Sequence, residues 1–158
     1  MLLYLLCALL GVGLIALDQW VKWWTVAHIA YPGGETLPFI PHLLGLTRTH
    51  NTGGAWSILN QHTWILTVLS LLVALVILYV IVRGKVRHPW GVITLVVVLA
   101  GAVGNLIDRI RLGYVVDMFQ TLFMNFPIFN VADICVVCGG IAFVVYFAFF
   151  YDKWEKKS

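Results

Sequence analysis

The chain has 158 residues, of which 61% are hydrophobic and only 11% are charged, with a mean hydropathy of +0.94. A soluble domain carries about a quarter charged residues, so this composition excludes a water-soluble globular protein and predicts a membrane protein. The net charge is +3, but the basic residues form no continuous stripe, which excludes a nucleic-acid-binding surface.

Four uncharged stretches, residues 1–17, 63–82, 89–107 and 134–151, are long enough to cross the hydrocarbon core of a bilayer. With their flanks they predict a single membrane domain, residues 1–158, with spans of about 1–22, 62–83, 89–109 and 131–151. The first stretch has no basic start, and Asp18 and Lys22 follow it directly. It is therefore interpreted as an uncleaved anchor and not as a secretory signal.

The short loops between the predicted spans differ in basic charge. One side of the membrane carries the dense clusters Arg83, Lys85, Arg87 and Lys153, Lys156, Lys157. Because basic residues accumulate in short cytoplasmic loops, both termini are predicted in the cytoplasm and the two long connections outside.

The first span ends in a polar and aromatic segment. Asp18 and Lys22 are four residues apart, share a helix face and are expected to pair. The tryptophans Trp20, Trp23 and Trp24 suit the headgroup layer. From spacing alone, an interface anchor with a salt bridge explains this segment as well as a functional site does.

Residues 30–61 form a long connection rich in proline and glycine. Short β-prone pieces between these residues predict a small extracytoplasmic β-sheet on the membrane surface. Within it, Asn51 is followed by Gly53 and Gly54, glycines that allow a backbone to approach a ligand closely. A simple turn is the alternative interpretation.

The second span is aliphatic apart from Thr67 and Ser70, whose hydroxyls can bond back to their own helix, so its role is interpreted as structural. The third span ends with Asn105, Asp108 and Arg109 on one face. A local Asp108–Arg109 ion pair is the alternative there. Residues 111–129 are interpreted as a loop or half-helix in the interface plane, so the predicted fold is an all-α membrane protein with these additions.

Topology brings the polar residues together. With four spans and both ends inside, the ends of helices one and three and the starts of helices two and four lie on the outer face. That face therefore receives Asp18, Asn51, Asn105, Asp108, Arg109, Asp117, Asn130 and Asp133. Ionisable groups at a membrane edge are costly, so they usually mark a working site or a structural ion pair.

The residue types at this face suggest carboxylate chemistry. The sequence contains neither H-E-x-x-H nor G-x-S-x-G, and Cys135 and Cys138 suit packing better than redox chemistry, so neither a metal nor a cofactor is predicted. Asp117 and Asp133 can hydrolyse an amide if one activates water while the other stays protonated. An ion-coupled carrier would need the same two residues, and a membrane assembly factor is a third possibility.

The polar residues fall into five ordered motifs: Asp18-Gln19-x-x-Lys22, Asn51-x-Gly53-Gly54-Ala55, Gly104-Asn105-x-x-Asp108-Arg109, Gly113-x-Val115-x-Asp117 and Phe129-Asn130-x-Ala132-Asp133. In these motifs the chain resembles lipoprotein signal peptidase, or signal peptidase II, a bacterial aspartyl peptidase of the cytoplasmic (inner) membrane. The resemblance covers nearly the whole sequence.

The resemblance implies roles for individual residues. Asp117 and Asp133 take the catalytic positions, and the positions that hold the site or contact the substrate fall to Asp18, Lys22, Asn51, Gly54, Asn105, Asp108, Arg109 and Asn130. The implied substrate is a diacylglyceryl-modified prolipoprotein within membrane lipid, cut before its lipidated cysteine, and globomycin-type cyclic peptides are the implied inhibitors. Trp56 and Met118 depart from the phenylalanines usual at their positions.

Overall fold

The computed structural model describes residues 1–31, 36–54 and 62–155. Its elements, in chain order, are α1 (Leu2–His28), β1 (Leu37–Ile40), β2 (Leu44–Asn51), α2 (Thr63–Val82), α3 (Pro89–Leu112), β3 (Val115–Thr121), α4 (Val131–Phe149) and α5 (Tyr151–Glu155). Among the described residues, α1 to α4 are the helices long and apolar enough to span a membrane. The predicted four-helix membrane fold with a small sheet is confirmed.

Helix α3 is the centre of the bundle, and α1, α2 and α4 all pack against it. Small residues on α3 make this possible. A side chain at Gly101 would collide with the backbone carbonyl of Ala132, and one at Gly104 would overlap the carboxylate of Asp18. The two glycines therefore let α4 and α1 approach α3 closely at the level where the polar residues lie.

The ends of α3 and α4 carry recognisable capping residues. Pro89 stands at the first turn of α3, where a missing N–H costs nothing, and Gly113 ends the helix in the left-handed conformation with φ 81°. Asn130 and Asp133 form a capping box at the start of α4. These caps fix where the chain leaves α3 and enters α4.

The sheet has the order β1-β2-β3 and is antiparallel throughout. Its third strand comes from the segment predicted as an interfacial loop or half-helix, and that part of the prediction is wrong. Pairing with β2 makes the segment a strand, and this pairing aligns Asp117 with Thr49 and Val116 with His50. Asp117 is thereby carried on a rigid strand instead of a loop.

The helices α1 and α3 also run further than predicted, to His28 and Leu112 instead of about residues 22 and 109. At the end of the bundle away from the sheet, hydrophobic side chains form the core around the fully buried Tyr146. The cluster of acidic and amide side chains predicted from the sequence lies at the sheet end.

Candidate active site

Asp133 is held by the first turn of α4. The side chain of Asn130 accepts a hydrogen bond from the backbone N–H of Asp133 (2.9 Å), and the backbone N–H of Asn130 donates to Oδ2 of Asp133 (3.1 Å). Oδ1 of Asp133 accepts from Nδ2 of Asn105 on α3 (2.8 Å). Both oxygens of this carboxylate therefore have neutral donors.

Asp117 is held in the same way from β3. Its Oδ2 accepts from Nδ2 of Asn51 (2.8 Å), and its Oδ1 accepts from Nδ2 of Asn130 (2.6 Å). Asn130 therefore bridges the two carboxylates, because its backbone donates to Asp133 and its side chain donates to Asp117. The structure brings together the two aspartates that the sequence predicted as a pair.

The amide orientations follow from other bonds. Oδ1 of Asn51 accepts from the backbone N–H groups of Gly53 (3.1 Å) and Gly54 (2.8 Å), so its Nδ2 must face Asp117. Gly54 adopts φ 70°, which favours glycine. The motif around Asn51 is therefore a turn, as the alternative interpretation had it, and this turn aims a donor at Asp117.

Lys22 is a buried cation beside the aspartate pair. Its Nζ lies 3.0 Å from Oδ2 of Asp18 and 3.1 Å from Oδ2 of Asp108, and it donates to Oδ1 of Asn105 (3.0 Å). Oδ1 of Asn105 also accepts from Nδ2 of Asn130 (3.1 Å). By holding Oδ1 of Asn105, Lys22 turns the Nδ2 of Asn105 toward Asp133. The ion pairs of Lys22 are with Asp18 and Asp108, and not with the aspartate pair.

Asp18 and Asp108 connect the elements around the site. Oδ1 of Asp18 accepts from the backbone N–H of Ala132 on α4 (2.9 Å), and Oδ2 of Asp108 accepts from that of Val116 on β3 (3.0 Å). Each carboxylate therefore positions the element that carries one aspartate of the pair.

Sequence reasoning left Gln19 out of the site, although it stands between Asp18 and Lys22. Its Nε2 lies within hydrogen-bond distance of Oδ2 of Asp18 (3.2 Å), the carbonyl of Gly104 (3.2 Å) and Oδ1 of Asp108 (3.0 Å). The position of Gln19 within the first motif, between Asp18 and Lys22, was the feature of the sequence that could have identified it as a site residue.

Arg109 is not the cationic partner of Asp108, which pairs with Lys22. The Nη1 of Arg109 instead donates to Oγ of Ser70 on α2 (3.1 Å), and its Nε is buried without a hydrogen-bond partner among the described residues. The hydroxyl of Ser70 thus has a partner on another helix, whereas the hydroxyl of Thr67 bonds to the carbonyl of Thr63 on its own helix (2.9 Å). Helix α2 contributes a polar side chain to the site.

Burial, and after it the nearby charge of Asp133, raise the pKa of Asp117 to about 7, against the hydrogen bonds from Asn51 and Asn130. Asp117 is 1% exposed. Its carboxyl group therefore exchanges a proton near neutral pH, as a general acid or base requires.

A cavity of about 460 Å³ opens beside both carboxylates. Its polar lining consists of Asn51, Asn105, Arg109, Asp117 and Asp133, while its apolar lining comes from α2, α4 and the segment before α4. This combination suits an apolar chain that presents one polar group to the carboxylates.

Met118 and Trp56 are the two residues at which the sequence departs from the phenylalanines usual in the family. Met118 is completely buried in β3 next to Asp117, so it packs beneath the strand and does not line the cavity. Trp56 lies outside the described residues.

Comparison with known proteins identifies the family. The family model described as "Signal peptidase (SPase) II" matches residues 10–150. The chain belongs to the signal peptidase II family. It is 49% identical over 138 residues to the lipoprotein signal peptidase of Enterococcus faecalis, covering 87% of this chain and 84% of the relative. It is 44% identical over 141 residues to that of Latilactobacillus sakei, covering 89% and 90%.

Two solved structures, both described as a bacterial membrane enzyme studied by the in meso method, share the fold of this signal peptidase II family member. One has a TM-score of 0.82 at 28% identity and covers 95% of this chain and 90% of its own. The other has a TM-score of 0.81 at 27% identity, with 91% and 93% covered. As a member of this family, the chain is a membrane-spanning peptidase.

Proposed function

We propose that this chain is an aspartyl endopeptidase that removes signal peptides from diacylglyceryl-modified bacterial prolipoproteins and cuts before the lipidated cysteine. Asp117 and Asp133 are its catalytic pair. The observation that carries the proposal is the bridge through Asn130, which joins both carboxylates at one cavity. The family membership supplies the substrate class.

The pair performs hydrolysis by sharing one proton. The ionised carboxylate takes a proton from water, the resulting oxygen attacks the carbonyl carbon, and the protonated carboxyl donates its proton toward the carbonyl oxygen. Collapse of the tetrahedral intermediate breaks the C–N bond, and the nitrogen leaves with a proton. A pKa of about 7 for Asp117 supports this role, because the pair then retains one proton at neutral pH.

The asparagine amides and the arginine guanidinium around the pair can form hydrogen bonds with the backbone of the substrate. A signal-peptide helix has its backbone groups internally bonded, so cleavage requires local unwinding that releases N–H and C=O groups. Asn51, Asn105 and Arg109 line the cavity where these groups would lie. Arg109 carries five N–H donors on its guanidinium, so this side chain can donate to a substrate carbonyl in the cavity.

The cavity suits a substrate that arrives through the lipid. Leu66 of α2 and Ile134, Val137 and Cys138 of α4 form part of its wall, so it lies between two helices that span the membrane. The apolar segment of the signal peptide and the acyl chains of the diacylglyceryl group can stay between these helices. Globomycin-type cyclic peptides are expected to occupy the same cavity.

The distribution of polar groups favours a peptidase over an ion-coupled carrier. Away from the sheet, the bundle is packed by hydrophobic side chains such as Ile77, Val92 and Leu95. The buried Thr94 there bonds to carbonyls of its own helix. An ion path would require polar groups through this half.

The basic loops support an active site on the outer face of the bacterial cytoplasmic membrane, with both termini inside. Lys85 is exposed between α2 and α3, and Asn125 is exposed on the sheet side. In a cysteine-free background, an impermeant thiol reagent applied to intact cells should label Asn125→Cys and spare Lys85→Cys. Labelling of Lys85→Cys alone would reverse the proposed orientation.

The test of the proposal is single-turnover cleavage of a lipidated prolipoprotein by purified variants. Asp117→Asn and Asp133→Asn should each lose at least about a hundredfold in rate, and the double variant should be scarcely slower, because the two groups act as one unit. Asp152→Asn, on the exposed part of α5, is the matched control and should cleave normally.

Folding of each variant is checked by thermal unfolding in detergent. A folded Asp133→Asn enzyme that loses only about tenfold, roughly 1.4 kcal/mol, would refute the aspartyl mechanism, because a lost catalytic group costs more.

A further inference from the structure

A second cavity, of about 520 Å³, lies beside the sheet. Its polar lining includes Thr49 and His50 of β2, Thr52 of the following turn, and Asn125 of the segment between β3 and α4. None of these four residues belongs to the catalytic constellation described above.

The two cavities share a wall. Asn51, Gly54, Asp117 and residues 126–128 line both of them. Asp117 therefore lies between an apolar space that opens toward α2 and α4 and a polar space on the sheet side. If the scissile bond of a polypeptide lies at Asp117, the residues on one side of the bond can enter the first cavity and those on the other side can enter the second.

We propose that the second cavity binds the first residues of the mature lipoprotein, those that follow the lipidated cysteine. This inference rests on the proposed function and adds a binding site for the leaving side of the substrate. The signal-peptide side is apolar and fits the first cavity. The mature side is an extended polar chain, whose backbone groups can bond to the hydroxyl, amide and imidazole groups of the second.

The lining also indicates which side chains fit. His50 is fixed between the stacked rings of Tyr31 (centroids 3.7 Å apart) and Tyr114 (3.9 Å), so this wall is rigid. Burial and the neighbouring Arg48 lower the pKa of His50, which keeps the imidazole neutral. The volume is in the range of small-ligand sites, about 300–1,000 Å³, so it accommodates a few residues. Small, uncharged residues after the cysteine therefore fit best.

The experiment compares two substrates with the same signal sequence and the same diacylglyceryl-cysteine. One ends at this cysteine as an amide, and the other continues for about six small polar residues, roughly 20 Å when extended. The measured quantity is the ratio of kcat/KM for the long substrate to that for the short one. In the wild type this ratio should be about ten, because one or two additional hydrogen bonds favour binding by about this factor.

Asn125→Trp fills the cavity and should reduce this ratio toward one. Met124→Trp is the matched control, because Met124 is the exposed neighbour and lies outside both cavity linings. It should keep the wild-type ratio. If Asn125→Trp leaves the ratio at its wild-type value, whether or not both substrates are slowed, the inference fails.

A crosslinking measurement remains decisive if Asn125→Trp does not fold. The long substrate carries benzoylphenylalanine two positions after the cysteine and is bound to the Asp133→Asn protein. Adducts on Thr49, His50, Thr52 or Asn125, which line the second cavity and not the first, support the site, and adducts found only elsewhere overturn it. The two proposals fail separately, since no cleavage of either substrate by the wild type contradicts the proposed function, whereas a wild-type ratio of one contradicts only the second cavity.

Discussion

The protonation of Asp117 should be visible in the stability of the protein. Its pKa is raised from an ordinary value of 3.8 to about 7, chiefly by burial and then by the charge of Asp133. Between these two pH values the folded protein holds a proton that the unfolded chain releases. The free energy of unfolding therefore contains a contribution that is fully present below pH 3.8 and is lost as the pH rises toward 7 and above.

The size of this contribution follows from the shift. A change of about three pKa units corresponds to roughly 4 kcal/mol, at 1.36 kcal/mol per unit. Asp117→Asn removes the titrating group, so the variant lacks this pH dependence. The stability of the wild type relative to the variant should therefore fall by up to about 4 kcal/mol as the pH rises from about 4 to about 8.

The pH dependence of the difference is more informative than its absolute value. Asn51 and Asn130 both present NH₂ groups to residue 117, because their oxygens are occupied by backbone donors. The amide introduced by Asp117→Asn would place its own NH₂ against one of them, at a pH-independent cost of about 1–3 kcal/mol. This cost shifts the stability difference between wild type and variant by the same amount at every pH and leaves its pH dependence unchanged.

The assay is unfolding of both proteins in detergent micelles across this pH range. Titrating groups away from the site are common to both proteins and cancel in the difference, whereas the coupling between Asp117 and Asp133 is part of the difference that is measured. Asp152→Asn, on α5, serves as the control and should track the wild type. A difference that stays constant with pH, or a wild type that gains relative stability as pH rises, would show that Asp117 is ionised throughout.

Two further predictions follow from the hydrogen bonds. Lys22→Met leaves two buried carboxylates without their cation and should lower the free energy of unfolding by about 3–5 kcal/mol, whereas Lys22→Arg should recover part of this loss. Thermal unfolding measures the loss, and an unchanged midpoint for Lys22→Met would contradict the prediction. Ser70→Ala releases the guanidinium of Arg109 and should weaken globomycin binding and kcat/KM by roughly 0.5–1.5 kcal/mol each, with Ser70→Thr retaining both. Equal inhibitor affinity for Ser70→Ala and Arg109→Ala variants and the wild type would show that neither side chain serves the cavity.

The convergence of the aspartates and asparagines was predictable because it depends on topology. Once four spans are recognised, the ends that carry Asp18, Asn105 and Asp133 must lie on one face. The Asp18–Lys22 pair was predictable from helix spacing and is present. These relations require only local periodicity and an even count of membrane crossings.

The errors arose where partners are distant in sequence. Residues 115–121 become a strand through pairing with β2, roughly 70 positions earlier, and their consecutive hydrophobic residues give no clear alternation. Ser70 has no local signal, because a hydroxyl in an apolar helix ordinarily bonds to its own backbone. The alternative of a local Asp108–Arg109 ion pair does not hold, because adjacent residues on a helix point in different directions.

The choice of neighbours around the pair explains how a buried carboxyl keeps a proton at neutral pH. Within the described part of the chain, the side-chain donors to Asp117 and Asp133 are asparagine amides, which satisfy an oxygen without supplying a positive charge. A cation in direct contact would instead stabilise the ionised form of a carboxyl group. Lys22 is held by two other carboxylates and is connected to Asp133 through the amide of Asn105. The site thus gains rigidity from a buried ion-pair network while the Asp117 carboxyl still titrates near neutral pH, which a directly paired aspartate would not.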